Sequence, residues 1–251
     1  MDSVKLFDAQ AALGPCAPGS GVFISADDVE GQWRRLGISG GLFRYGVPNR
    51  AADLPYDNDR LYGMVEGRPG MVPCPAVAPS AGSELPPEGT QVDEALRRGA
   101  GAAWIRPEPD AWSTEPWCAD ALFGALADRK LPVFCQMEQV ALTGVGELAE
   151  RYPGLPFMVS GVPYTAMRSV VALLKAFSNI YLCLGSPWCV HGGIEFLIGH
   201  GLASRLLFGT GFPEAEAGAA LGYLAYADIP MPEKSLIASE NFARLAAEIR
   251  R

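Results

Sequence analysis

The sequence predicts an α/β fold, a TIM-like (β/α)8 barrel in a single domain of residues 1–251. Short apolar runs alternate with longer amphipathic segments, which is the pattern of repeated strand–helix units. Eight apolar runs can be counted, which is the number of strands in a closed parallel barrel. The length of 251 residues also suits one such barrel.

Each predicted strand is a run of five to eight residues that is rich in β-branched, aromatic or other apolar side chains. Several of these runs end against glycine, proline or a polar residue, where a strand gives way to a loop. The predicted strands are residues 4–8, 41–45, 71–78, 102–106, 132–136, 156–160, 179–184 and 205–209.

The segments between the strands predict helices. Ser25 ahead of Asp27 and Asp28, and Thr90 followed by Asp93, are N-terminal capping signals. A last helix, residues 232–238 leading into 240–249, is expected to cover the outside of the barrel. The other predicted helices are residues 26–36, 57–66, 91–98, 117–128 and 164–176.

Two stretches rich in proline and glycine, residues 77–89 and 107–116, each follow a strand. Loops after strands lie on the C-terminal face of a barrel, where active sites are built. We therefore expect a functional site on this face.

Composition and charge narrow the class of protein. The net charge of −8 opposes binding to phosphate backbones and to anionic lipid, so neither nucleic acid nor a membrane is an expected partner. The six scattered cysteines include no Cys-x-x-Cys pair and indicate reduced thiols. No long apolar segment opens the chain, so we expect a soluble, cytoplasmic protein. A homo-oligomer is left open.

The run from Arg205 to Pro213, Arg-Leu-Leu-Phe-Gly-Thr-Gly-Phe-Pro, resembles the last barrel strand of the amidohydrolase-related family. That strand usually reads Arg-x-x-Phe-Gly-Ser/Thr-Asp-Phe/Tyr-Pro. Residues 152–155, 178–181 and 237–245 resemble further family segments in the same order. The resemblance implies a barrel of the metal-dependent hydrolase superfamily, with hydrolysis or non-oxidative decarboxylation as its chemistry.

The same resemblance shows that the family's metal ligands are missing. The first strand of the family ends in Asp-x-His-x-His, and the fifth, sixth and eighth supply His, His and Asp. Here those positions hold Asp8, Gln10, Ala12, Gln136, Gly161 and Gly211. The chain has only two histidines, His191 and His200, and neither matches a ligand position. We therefore expect no metal cofactor; a rebuilt site at His191, Glu195 and Cys183 is the disfavoured alternative.

Polar residues at predicted strand ends are the candidate site. Arg44 and Arg106 could clamp a carboxylate bidentately, although each could instead pair with a loop acid such as Glu108 or Asp110. Asp8 and His191 are the candidate catalytic groups, His191 because imidazole titrates near neutrality. Without a metal, Asp8 could hydrogen-bond the Gln10 or Gln136 amide. The remaining candidate substrate-binding residues are Gln10, Gln136, Tyr164 and Ser186.

Two functions fit these features. One is a hydrolase or decarboxylase-like lyase that acts on a small carboxylated molecule without the family's usual metal. The other is a catalytically inactive barrel that binds a metabolite or a partner protein. If the ligand is a small molecule, we expect it to be anionic. Convergence of His191, Arg44 and Arg106 on one pocket would favour an enzyme or a ligand-binding protein.

Overall fold

A computed structural model describes residues 4–16, 21–46, 53–185 and 188–251. The strands are β1 (Leu6–Pro15), β2 (Phe23–Ile24), β3 (Ile38–Tyr45), β4 (Met71–Pro73), β5 (Ala76–Val77), β6 (Ala103–Ile105), β7 (Val133–Gln136), β8 (Phe157–Ser160), β9 (Ile180–Leu184) and β10 (Leu206–Phe208). The α-helices are α1 (Ala26–Leu36), α2 (Leu54–Val65), α3 (Glu88–Arg97), α4 (Pro116–Arg129), α5 (Leu142–Arg151), α6 (Met167–Ala176), α7 (Gly193–Gly199), α8 (Ala217–Tyr226), α9 (Met231–Ser235) and α10 (Asn241–Ala247). A π-helical segment, Leu236–Glu240, joins the last two.

The parallel strands form a barrel. They lie in the orders β1-β3-β4 and β10-β9-β8-β7-β6-β5. β4 and β5 are two halves of one barrel strand; Pro73 and Pro75 flank the break, and proline has no N–H to continue a ladder. The ring closes between β1 and the end of β10, where the Gly211 N–H donates to the Gln10 carbonyl at 2.9 Å. The predicted eight-strand barrel is confirmed, and β2 is an added antiparallel strand paired with the end of β1.

Local signals locate some helices better than others. At α1 the Ser25 hydroxyl accepts from the Asp28 N–H and the Asp28 carboxylate accepts in return, so the predicted start and both predicted bounds are correct. The predicted start at Thr90 is wrong, because α3 begins directly after Pro87, whose ring suits the position before a helix. Residues 164–166 form a 3₁₀ turn ahead of α6.

Side chains alternate between two apolar layers along every strand. Leu42, Trp104, Phe134, Met158 and Tyr181 fill the inside of the barrel. Their neighbours Phe43, Ile105, Cys135, Val159 and Leu182 pack outward against the helices.

The last helix closes one end of the barrel. Phe242 on α10 belongs to the interior cluster and stacks on Phe7 of β1, with ring centroids 4.4 Å apart. The expectation that the final helix only covers the outside is therefore wrong. Its apolar face plugs the N-terminal ends of the strands, which leaves the opposite end for a site. Among the described residues, no helix is long and apolar enough to cross a membrane.

Candidate functional site

Polar side chains replace apolar ones where the strands reach the C-terminal end of the barrel. The residues two positions beyond Leu42, Trp104, Phe134, Met158 and Tyr181 point in the same inward direction, because side-chain direction repeats every second residue. These residues are Arg44, Arg106, Gln136, Ser160 and Cys183. With Asp8, Gln10 and Thr210 they form what we call the barrel mouth.

Arg44, on β3, is a buried cation. Its side chain is 3% exposed, and its guanidinium carbon lies 4.9 Å from the centre of the Trp104 ring and 5.2 Å from that of Phe134. It donates to the Gln136 amide oxygen at 3.3 Å. The one carboxylate of the described residues within ion-pair distance is Glu214, at 3.9 Å and half-exposed. The buried Nε has no hydrogen-bond partner among the described residues. The structure therefore brings Arg44 and Gln136 together, as two of the predicted binding residues.

Arg106 directly follows β6, and carboxylates of the same chain bind its guanidinium group. Its Nε and one terminal nitrogen donate to the two oxygens of Asp110, each at 2.9 Å, and another nitrogen lies 3.8 Å from Asp57. Its guanidinium carbon lies 5.2 Å from the centre of the Trp104 ring. Of the two alternatives for Arg106, the structure has the pairing with Asp110. Since its charge is already matched, we leave Arg106 out of the proposed anion site.

Asp8 joins β1 to the end of β10. One carboxylate oxygen accepts from the N–H groups of Gln10 at 3.0 Å and Thr210 at 2.9 Å, and the other accepts from the Thr210 hydroxyl. The expected partners, the side-chain amides of Gln10 and Gln136, are wrong; the main chain and a hydroxyl take their place. Burial raises the pKa of Asp8 despite these hydrogen bonds and the nearby Arg44 charge.

Several buried polar atoms at the mouth have no partner within the described part of the chain. They include the Gln10 side-chain oxygen, the Ser160 hydroxyl and the Trp104 Nε1, besides the Arg44 Nε. An unpaired buried polar group costs about 1–3 kcal/mol, so a molecule that supplies partners would be stabilised here. Gly211 leaves room here, because an added Cβ would lie 3.5 Å or more from its neighbours. At Gly161 an added Cβ would lie 2.7 Å from a Glu138 carboxylate oxygen, so that position is already filled.

The other predicted residues are more dispersed. Tyr164 is 49% exposed at the start of the turn after β8. His191 is exposed in the turn before α7, with no hydrogen bond or ion pair to another described residue. The predicted convergence of His191, Arg44 and Arg106 therefore has no contact that supports it. Ser186 lies outside the described residues.

The cysteines offer no activated nucleophile at the mouth. Cys74 and Cys183 face the barrel interior, and burial raises the pKa of both thiols. Nearby Asp8 raises the pKa of Cys183 further. Cys189 is exposed, and its pKa is also raised. A thiol with a raised pKa holds its proton at neutral pH and is a weak nucleophile.

Sequence reasoning missed several residues of the mouth. Phe134, one of the aromatic partners of Arg44, was not assigned to it, nor was Ser160. A signal was present, since each lies at an inward position of a predicted strand and the period of two extends to the strand end. Thr210 is polar and follows the last predicted strand, but nothing in the sequence pairs it with Asp8.

The model of the amidohydrolase family (Amidohydro_2) matches residues 36–246. This chain belongs to the amidohydrolase family. No curated protein matches the sequence. The family assignment agrees with the barrel and with the resemblance of the strand-end motifs.

Solved structures of other proteins share the fold at low identity. An uncharacterised TIM-barrel protein of Bordetella bronchiseptica is 16% identical, with a TM-score of 0.75 over 99% of this chain and 100% of that one. A 5-carboxyvanillate decarboxylase of Sphingomonas paucimobilis is 13% identical, with a TM-score of 0.75 over 98% and 99%. The 5-carboxyvanillate decarboxylase of Novosphingobium aromaticivorans, in complex with manganese and 4-hydroxy-3-methoxy-5-nitrobenzoic acid, is 14% identical, with a TM-score of 0.76 over 98% and 96%.

The residues of this amidohydrolase-family mouth do not fit a metal ion. Both oxygens of Asp8 are engaged by Thr210 and main-chain N–H groups, and Gln10 and Gln136 offer neutral amides where the family has imidazoles. Gly161 and Gly211 have no side chain to coordinate. Among the residues that the structure describes, no group of three or more His, Cys, Asp or Glu side chains could hold a metal ion. A catalytic zinc normally needs three such ligands.

Proposed function

We propose that this amidohydrolase-family barrel binds a small carboxylated molecule at its mouth and acts on it by hydrolase or decarboxylase-type chemistry without a bound metal. The observation that carries the proposal is the buried Arg44 guanidinium, whose one ion-pair contact among the described residues is a long one of 3.9 Å to the half-exposed Glu214. A desolvated charge is costly unless it is paired, and a ligand carboxylate supplies the missing pair.

The ligand's place follows from the groups around Arg44. Its unpaired Nε and the neutral Gln136 amide can share an anion, and the Trp104 and Phe134 rings form an apolar wall beside it. The Gln10 oxygen and the Ser160 hydroxyl can bond a second polar group of the ligand. Structural relatives that carry out decarboxylation support a substrate of this type, since their ligands include substituted benzoates.

Two titratable groups are the candidates for moving a proton. The raised pKa of Asp8 means that it keeps its proton to a higher pH than an exposed aspartate, which suits a proton donor. His191 is exposed in a loop that follows β9, on the same end of the barrel. Turnover by the variants Asp8→Asn and His191→Asn distinguishes the two candidates, because only loss of the group that moves the proton should abolish it.

A non-catalytic, ligand-binding barrel is the second candidate. It is favoured by the internal hydrogen bonds of Asp8, which occupy both of its oxygens, and by the raised thiol pKa values. Binding of carboxylates without turnover would support this second function.

The first experiment is a calorimetric binding screen of substituted benzoates, including 5-carboxyvanillate, against metal-free protein. Each acid is compared with its uncharged methyl ester. We expect the acids to bind and the esters to fail, and Arg44→Met to abolish binding. Arg34→Met, which removes an exposed arginine of α1, is the matched control and is expected to bind normally.

The same acids are then followed for release of carbon dioxide, and carboxylate esters and lactones for hydrolysis. Equal binding of acids and esters, or unchanged binding in Arg44→Met, would contradict an anion site at Arg44.

A further inference from the structure

We infer that the Arg44 guanidinium takes the place of the metal ion that related barrels carry: it supplies the fixed positive charge of the mouth and keeps a divalent cation out. This inference concerns the same site as the proposed function but does not depend on which ligand binds there, or on whether any ligand is turned over.

The first argument is the position of the Arg44 side chain relative to β1. In the parallel ladder between β1 and β3, Ala12 is the direct partner of Arg44. The flanking pairs, Ala11 with Phe43 and Leu13 with Tyr45, all point to the outer layer, so Ala12 and Arg44 both point inward. Ala12 stands where the family motif has its second histidine. A methyl group there leaves the space beside it to the arginine stem.

The second argument is the surroundings of the charge. The guanidinium donates to Gln136, a second position where the family has a histidine. It also lies close enough to Asp8 to lower the pKa of that carboxyl, in opposition to the larger effect of burial. The cation therefore donates to the residue at one former ligand position, comes from the residue paired with a second in the ladder, and acts on the retained aspartate.

The third argument is electrostatic. Two positive charges in one buried site repel strongly, because little water is present to screen them. The aromatic rings at 4.9 and 5.2 Å hold the guanidinium in place through its attraction to their faces. A metal ion could enter only if Arg44 moved out of its aromatic setting.

The test restores four of the five lost ligand positions in two backgrounds. The four substitutions Gln10→His, Ala12→His, Gln136→His and Gly211→Asp are introduced together, with Arg44 and with Arg44→Met. Bound manganese is measured by plasma mass spectrometry after gel filtration. We expect less than about a tenth of an equivalent with Arg44 and close to one equivalent with methionine. Equal occupancy in the two backgrounds, whether high or low, would overturn the inference.

A second measurement does not need the fourfold variant to form a site. Ala12→His alone is compared in the wild-type and Arg44→Met backgrounds by urea denaturation. If the two side chains compete for one space, the imidazole lowers the urea midpoint in the presence of Arg44 and has much less effect beside methionine. An equal loss in both backgrounds would show that Arg44 does not occupy the ligand position. Carboxylate binding by the unaltered protein stays a separate measurement, so failure of the proposed function is distinguishable from failure of this inference.

Discussion

Replacement of Arg44 by methionine is expected to change the stability of the ligand-free protein by no more than about 3 kcal/mol in either direction, although it removes a buried side chain. The arginine makes a long hydrogen bond of 3.3 Å and a long ion-pair contact of 3.9 Å to a half-exposed carboxylate, and its Nε is unpaired. Methionine fills much of the same volume with a flexible apolar chain.

The magnitude follows from two opposing effects. Replacing a buried, poorly compensated charge by an apolar side chain changes the free energy of unfolding by between zero and about +4 kcal/mol. Loss of the two ring contacts costs about 1–2 kcal/mol. The net expectation is a change of about −2 to +3 kcal/mol, and in a chain of this size each kcal/mol moves the melting temperature by about 2–4 °C.

The assay is urea denaturation of both proteins in low salt at pH 7, with and without a binding carboxylate. At a hundred times its dissociation constant the ligand should stabilise the wild type by about 2.7 kcal/mol and the variant not at all. Added ligand therefore shifts the stability difference between the two proteins by about 2.7 kcal/mol in favour of the wild type.

A loss of more than about 3 kcal/mol in the ligand-free variant would refute the reasoning, because that is the cost of breaking a well-compensated buried pair. The slope of the denaturation curve is the control, since an unchanged slope shows that both proteins unfold over the same surface area.

Three further predictions address the neighbouring residues. Because the folded-state pKa of Asp8 is raised, its contribution to stability is complete below the unfolded value of 3.8 and declines as the pH rises through the folded pKa. The stability of the wild type relative to Asp8→Asn, measured by urea denaturation from pH 4 to 8, should therefore fall with pH and then level off; a rise would contradict the burial effect. Arg106→Met leaves Asp110 and Asp57 buried without their cation and should cost about 3–5 kcal/mol, whereas the exposed Arg34→Met should cost less than about 0.5 kcal/mol. Ser25→Ala removes the side-chain cap of α1 and should lower the free energy of unfolding by about 1 kcal/mol. Circular dichroism should show the helix content unchanged. No measurable loss of stability would mean that the capping pair of Ser25 and Asp28 contributes nothing.

The strands were predictable because each is a local pattern. Alternation and apolar runs locate all eight barrel strands to within a few residues, apart from β1, which extends well past its predicted end at Asp8. The break between β4 and β5 was missed in a run read as one strand of residues 71–78. The sequence shows two prolines in this run, Pro73 and Pro75. Whether they break the strand depends on which carbonyl groups of the neighbouring strands need an N–H donor at those positions.

The site was harder to predict because its chemistry is decided by contacts between strands. Sequence position alone suggested that Arg44 and Arg106 were equivalent, since both follow barrel strands. The structure separates them: Arg106 has Asp110 four residues later to hold it, and Arg44 has aromatic rings from β6 and β7. Loop residues such as His191 could not be located, because the path of a loop depends on tertiary packing.

The stacking of Phe7 on Phe242 and the bonds from Gly211 to Gln10 join segments more than 200 residues apart in sequence. During synthesis, one edge of β1 and the open bottom of the barrel therefore have no partner until almost the whole chain has been made. Loop closure over such a distance is slow, and an exposed strand edge is prone to pair with other chains. The ring that creates the mouth thus imposes a late closing step, during which the nascent protein is most exposed to aggregation.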